Sequence, residues 1–344
     1  MMEIKEIVIK VSIMFILFFA FIDAEKEFHA IVAQDGSGDY TTISHAVEAA
    51  PNQSPTRWKI KIKAGVYMEH VTVEEHKQNL ALIGEGADVT IITDNRSFRK
   101  QGYGILDSAT LDVKGSNFIG KYLTFNNSAG PEGGQAVALK VSANYSSFYK
   151  CNINGYQDTL LVDKGYQFFR ECTIFGTVDF IFGSAPVVFQ NCDIKVHRAG
   201  GVLTAQSKGN ATIGKSGMSF HNCYIKTAQD FNSNTSSSST FLGRPWVDHA
   251  TVVFMESFLD DIINPLGWDT MGIGVLPGDS IFYGEYMNFG PGSGMEKRVA
   301  WAKPGKLNGT QAEDFSVRNL IDGNYWLPYT EIPYRLDLIH KKSD

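Results

Sequence analysis

Most of the signatures by which enzymes betray their chemistry are missing from this 344-residue chain. No Gly-x-Ser-x-Gly elbow offers a serine nucleophile, and the eight histidines form no His-Glu-x-x-His metal pair. Neither a GxGxxG turn nor a GxxxxGK phosphate loop occurs, which removes nucleotide chemistry. The four cysteines, Cys151, Cys172, Cys192 and Cys223, lie 21, 20 and 31 residues apart, neither a zinc-ligand spacing nor a redox CxxC. No metal and no other cofactor is therefore expected. A basic excess is lacking too: the net charge of −6 argues against nucleic acid as a partner. The longest apolar run, Val11 to Ile22, is shorter than the roughly 20 residues that cross a bilayer. Lys5 and Lys10 precede it and Ala24 follows, so residues 1–24 read as a secretory signal peptide with no membrane anchor. Glu3, Glu6 and the bulky Ile22 leave the cleavage position open. If the chain is an enzyme, carboxylates must carry the reaction.

What the sequence does have is a repeat. Cys151-x-Ile153-x-Gly155 is answered 21 residues later by Cys172-x-Ile174-x-Gly176. Each unit sets an aspartate seven residues after its cysteine, Asp158 and then Asp179. The segment is rich in β-formers and has no helical period, which predicts stacked coils of a parallel β-solenoid. Coils stack at about 4.8 Å, so Asp158 and Asp179 are a candidate carboxylate pair; the competing reading is a polar ladder in a solenoid turn. Phe148, Phe169, Phe189 and Phe220 each precede a cysteine by three residues and are assigned to an internal stack. The first three cysteines recur about once per coil and so are expected on one face; a disulfide between coils and inward-facing thiols both fit.

The 33 glycines suit many tight corners. Strands are expected at Trp58 to Ile62, Val71 to Val73, Leu80 to Ile83 and Val89 to Ile92, with turns at GVYMEH (Gly65–His70) and GEG (Gly84–Gly86). Thr42 is an N-cap for a helix with Ile43, Ala46, Val47 and Ala50 on one face and Pro51 as its stop, a cover for one solenoid end. Helical residues near Asp314–Leu320 and the apolar Trp326–Pro328 form a second candidate cap. Asp230–Thr240 reads as a polar loop. No linker divides the centre, so one domain is expected. Seven Asn-x-Ser/Thr sequons, at Asn52, Asn95, Asn126, Asn144, Asn210, Asn234 and Asn308, fit a secreted glycoprotein.

Around the aspartates stand plausible accessories. Gln135 lies 22 residues before Gln157, about one coil, so two side-chain amides can aim N–H donors at one developing oxyanion. In Leu242-Gly243-Arg244-Pro245-Trp246, the arginine can hold a carboxylate ionised through two hydrogen bonds, and the tryptophan can stack on a sugar. Taken singly, each has a plainer reading: a glutamine ladder, a surface ion pair, a buried ring.

Together these residues carry a resemblance. GVYME at Gly65–Glu69, QAVAL at Gln135–Leu139, GYQDTL at Gly155–Leu160, GTVDFIFG at Gly176–Gly183 and LGRPW at Leu242–Trp246 resemble the plant pectin methylesterases (pectinesterases), from about residue 31 to residue 337. VAQDGSGDY, INPLGW at Ile263–Trp268 and YGEYMNFGPG at Tyr283–Gly292 also look like family signatures. The resemblance implies a single-stranded right-handed parallel β-helix with short capping helices, and a pectinesterase catalytic domain over residues 25–344. It implies an esterase acting on methyl-esterified homogalacturonan, releasing methanol and pectate. Asp179 matches the family's nucleophile, Asp158 its acid and base, Gln135 and Gln157 its oxyanion donors, Arg244 the residue that fixes the nucleophile. Substrate contacts are implied for Gln135, Arg244, Trp246, Phe182 and Trp268. A secreted monomer acting in the cell wall is implied, with a proteinaceous pectinesterase inhibitor as a candidate partner.

The chain departs from the family at Leu161, where an aromatic is common, at Thr204–Lys208 (TAQSK for TAQGR), and at Asp94, where glycine is usual. These bear on subsite preference rather than on the reaction. The inhibitor-like region that precedes the catalytic part of many relatives is not expected, because about 30 residues come before it. A polygalacturonase would need its own aspartate cluster with a catalytic histidine, a pectate lyase an acidic calcium site. A non-catalytic wall-binding solenoid could dispense with the five polar residues just named, and an aspartic protease would show Asp-Thr-Gly or Asp-Ser-Gly. None of these rivals fits the sequence as it stands.

Overall fold

The 21-residue period becomes one turn of a right-handed parallel β-helix. The computed structural model describes residues 27–208, 215–232, 239–270 and 280–340. The leader expected over residues 1–24, the sequons at Asn210 and Asn234 and most of the polar loop after Asp230 lie outside them. Among the described residues, seven successive coils each give one short strand to each of three sheets, whose pairings are all parallel; incomplete coils at the two ends bring the sheets to 11, 8 and 7 strands in the order the chain visits them. The coil bearing Asp179 runs Gln167–Arg170 in the first sheet, Thr173–Gly176 in the second and Ile181–Gly183 in the third. It stacks in register on the coil before, Phe148 on Phe169, Ile153 on Ile174 and Leu160 on Ile181.

The phenylalanines form the expected internal column. Phe148, Phe169, Phe189, Phe220 and Phe254 are stacked in turn at 4.8, 5.0, 4.7 and 4.4 Å between ring centres, every one buried. Each such pair adds about 0.5–1.5 kcal/mol beyond the area it removes from water. The cysteine column runs beside it, and its four thiols are free and buried. Its geometry explains the residue type. The corner from the first sheet to the second places one residue in the left-handed region, Lys150, Glu171, Asn191 and Asn222 at φ 50–56°. The next residue is the cysteine, whose Sγ donates to a carbonyl of the coil below, such as Phe148 O from Cys172 and Phe169 O from Cys192, both at 3.5 Å. Ser257 continues the column with the same bond to Phe220 O at 3.1 Å. A small donor is what the corner requires.

The helix Ile43–Ala49 plugs the first coil as expected, with Thr42 Oγ1 accepting from His45 N and Ile43, Ala46 and Val47 buried in the core. Glu69 accepts the otherwise orphaned N–H groups of Ile43 and Ser44, each at 2.9 Å. Two expectations need correction. Gly65–Met68 is a strand rather than a turn: Tyr67 points into the core while Val66 and Met68 face out. The C-terminal helices Val317–Leu320 and Gly323–Trp326 do not close the far end. They lie across the outer face of the first sheet, because Ala81, Ile119, Phe168 and Val188 make that face apolar and in need of cover.

Candidate active site

Both aspartates sit where the chain turns from the second sheet into the third, and both adopt the left-handed conformation, φ 62° at Asp158 and 50° at Asp179. Non-glycine residues take up that region at a cost and concentrate at functional sites. The turns are tight. A Cβ on Gly155 would lie 2.7 Å from Thr159 Oγ1, and one on Gly176 2.2 Å from Phe180 Cβ, so each motif's glycine makes room for the fold-back that presents its aspartate. The turns also lock coil to coil, with Asp158 N donating to Val178 O and Asp179 N to Val202 O.

The predicted accessories converge here. Arg244, on the strand Phe241–Pro245, crosses the coil between and holds Asp179 with both arms, Nε to Oδ1 and Nη2 to Oδ2, each 2.9 Å. The residue in register beneath it is Ala205, small enough to let the guanidinium pass, and below that is Phe182. Gln135 and Gln157 are bridged backbone to backbone across one coil step, and the Gln135 side-chain amide acts on the Asp158 carboxyl, favouring its ionised form. A cleft of about 60 Å³ is lined by Gln135, Asp158, Asp179, Phe182, Arg244, Trp246, Ile105 and Ala205; Gln157 stands next to this lining in sequence but is not part of it. Trp246 is 43% exposed and meets Phe182 edge to face at 5.8 Å.

Trp268 goes elsewhere. It is 2% exposed and stacks on Tyr283 at 4.2 Å in the core, so its face is spent on packing and not offered to a sugar. Conversely, no motif or spacing points to Ile105, which lines the cleft. It belongs to an insertion between Thr90–Asp94 and Leu111–Val113 that interrupts the coil period. That insertion is fastened by Phe98 N to Gln135 O and by buried Asn127, whose Nδ2 donates to the carbonyls of Arg96, Ser108 and Val137. An asparagine with three acceptors on separate segments was the only signal available, and spacing does not reveal it.

The electrostatics divide the two carboxyls. Asp158 is 4% exposed. Burial, then the charge of Asp179, push it up to about 7, against the opposing pull of Arg244 and the hydrogen bond from Gln135. The guanidinium gives both of its carboxylate hydrogen bonds to Asp179. Below about pH 7 the site therefore holds a proton-bearing Asp158 beside the Asp179 carboxyl that Arg244 clasps, a division of the two carboxyls that suits general-acid and nucleophilic work.

The raised value has a consequence for stability. Folded Asp158 keeps its proton up to about pH 7, whereas an unfolded aspartate loses it near 3.9, roughly. Between those values the native state binds the extra proton, so stability falls as pH rises and the penalty is complete above about pH 7. Asparagine removes the penalty. Asp158→Asn is expected to melt above the wild type at pH 8, with the advantage shrinking at pH 5, as calorimetry at the two values will read.

Comparison with known proteins agrees with the geometry. The Pectinesterase family model matches residues 29–324. A pectinesterase/pectinesterase inhibitor of Prunus persica is 46% identical over 311 residues, 89% of this chain and 59% of that protein. Pectinesterase 2 of Citrus sinensis is 44% identical over 88% of this chain and 59% of its own length. The chain thus spans about three-fifths of these curated relatives. Among solved structures, pectin methylesterase from carrot is 40% identical with a TM-score of 0.85, covering 92% of this chain and all of its own. A pectin methylesterase in complex with a hexasaccharide is 27% identical with a TM-score of 0.69, over 86% of this chain and 97% of that one. This chain belongs to the pectinesterase family.

Proposed function

We propose that the chain is a carboxylic ester hydrolase that converts methyl-esterified homogalacturonan to pectate and methanol. The observation that carries this reading is the divided carboxyl pair, with Asp179 clasped by Arg244 at two distances of 2.9 Å and Asp158 buried and proton-bearing. Asp179 attacks the C6 ester carbonyl, and Gln135 and Gln157 donate to the oxyanion that forms. Asp158 gives its proton to the departing methanol, leaving an anhydride on Asp179. Asp158, now a base, takes a proton from water, the resulting hydroxide attacks the same carbonyl carbon, and Asp179 leaves as the carboxylate. The new galacturonate acid ionises to solvent, and Asp158 again holds its proton. The direct test is methanol release from highly methylated pectin by the purified protein.

A polymer substrate is supported by the relative that holds a hexasaccharide and by exposed Trp246 at the cleft wall. Trp246→Ala is expected to raise KM for pectin about tenfold while kcat changes less, because the ring binds substrate and transition state alike. Unchanged kinetics in a folded variant would leave the ring no role in binding. Metal removal is expected to do nothing at constant ionic strength. Among the described residues no three His, Cys, Asp or Glu side chains converge as a donor set, and EDTA dialysis followed by calcium addition checks it. Secretion to the cell wall, action as a monomer and a proteinaceous inhibitor as partner belong to the same proposal.

A further inference from the structure

A second cleft lies on the other side of the turn that carries Asp158. It measures about 340 Å³ and is lined by Asn126, Asn127 and Ser128 from one coil, Asn154 and Tyr156 from the next, and Phe175 and His197 beyond. That volume falls in the range of small-molecule clefts. Its position follows from the register. Asn126 and Asn154 are paired on the outer face of the second sheet, and Phe175 and Lys195 are paired on the coils that follow. The His197 ring is sandwiched between Tyr156, 5.2 Å away at 26°, and Phe175, 5.4 Å away at 20°. Asp230 Oδ1 fixes that ring through Nδ1 at 2.7 Å. One wall is thus a rigid aromatic stack and the facing wall carries amides. Asn154 Oδ1 is buried with no hydrogen-bond partner, an expense that a native site does not bear without a reason.

The lining identifies the ligand class. Aromatic faces match the C–H face of a pyranose, and an unpaired acceptor matches its hydroxyls. No Lys, Arg, Asp or Glu lines the cleft, and its His197 is already tied to Asp230. Lys195, lying over Phe175 at 5.2 Å, is engaged by Asp193 at 3.8 Å. With no free cation, the cleft suits an uncharged sugar over a free uronate. Tyr156 is two residues from Asp158, and Ser128 opens the loop that leads to Gln135. The two clefts are therefore neighbours along the chain, though no residue lines both.

We propose that this cleft is a second polysaccharide-docking site, taking a methyl-esterified pyranose of the same chain whose neighbouring stretch enters the catalytic cleft. The proposal rests on the galacturonan reading above. Asn126 heads a glycosylation sequon, but its Nδ2 donates to Thr93 Oγ1 at 2.8 Å, which leaves the cleft to an external sugar.

The test separates docking from turnover. Inactive Asp179→Ala protein is run by affinity electrophoresis in gels containing highly methylated pectin, and Phe175→Ala, His197→Ala or Asn154→Leu is added to it. Each addition is expected to weaken retardation about five- to tenfold in apparent Kd. Asn154→Leu is the decisive variant: it deletes an acceptor that has no partner, so melting temperature should hold while pectin binding falls. In the active background the same changes should raise KM on long pectin and leave a methyl-esterified trigalacturonate unaffected. Methanol release by the wild type together with undiminished retardation in all three variants would overturn this site and spare the esterase reading. Absence of methanol release would overturn the esterase reading itself. A glycan found on Asn126 by mass spectrometry would fill the cleft and also overturn the proposal.

Discussion

Asp179→Ala is expected to abolish methanol release from methylated pectin, and Asp158→Ala to lower it by about 10²–10⁴-fold. The two losses differ because the residues do different work. In the proposed mechanism Asp179 supplies the electron pair that forms the acyl bond, and no other carboxylate lines the cleft except Asp158, which keeps its proton up to about pH 7. Asp158 supplies a proton that water can deliver more slowly, so its variant keeps a residue of activity. That remnant should lose the alkaline decline of the wild type, whose kcat/KM is expected to fall above about pH 7 as Asp158 loses its proton. Matching circular dichroism spectra establish that the variants fold, which both turns favour: alanine keeps the backbone bonds Asp158 N to Val178 O and Asp179 N to Val202 O. Wild-type turnover in folded Asp179→Ala would refute the mechanism and return the pair to a polar ladder.

The aspartates, the phenylalanine column and the cysteine column were legible for one reason. A solenoid places equivalent residues one coil apart, so three-dimensional neighbours repeat at a fixed interval in the chain. Gln135 and Gln157 could be recruited to the pair by counting one coil, whereas Arg244 came from the LGRPW motif. Where the period breaks, reading stops. Ile105 reaches the cleft from an insertion held in place by the buried amide of Asn127, and nothing in its spacing says so. Trp268 was misjudged because spacing does not tell which way a ring faces; Tyr283 and Phe254, brought alongside by stacking of the late coils, take it into the core. The strand at Gly65–Met68 was hidden by its leading glycine and is recognisable only from the alternation of Val66, Tyr67 and Met68. The C-terminal segment carries helical signals, but only the outward-facing Phe168 and Val188 explain why it lies along the side and not across the end.

Arg244 is the residue whose loss should change the character of the site and not only its rate. In the wild type it gives two hydrogen bonds to Asp179, the proposed nucleophile, while Asp158 keeps its proton up to about pH 7. Arg244→Ala leaves two neighbouring carboxyls in a buried cleft with no countercharge, and one proton is then shared between them. Asp158 loses the guanidinium that opposes its upward shift, and Asp179 loses its two charge-assisted bonds. The proton shared by the pair is then held to higher pH, so the variant's kcat/KM should still be climbing where the wild type is already declining. The expected cost in kcat is about 10²–10³-fold, comparable to removing one preorganised electrostatic contact elsewhere. Breaking a largely buried pair also costs about 3–5 kcal/mol of stability, so the profile is measured well below the melting temperature. Arg244→Lys separates charge from geometry: a point charge restores part of the acid limb, but a single ammonium cannot span both carboxylate oxygens. Its pH profile should therefore fall between the other two. A profile unmoved in Arg244→Ala, with kcat within tenfold of wild type, would mean that Asp179 is held ionised by something other than the guanidinium.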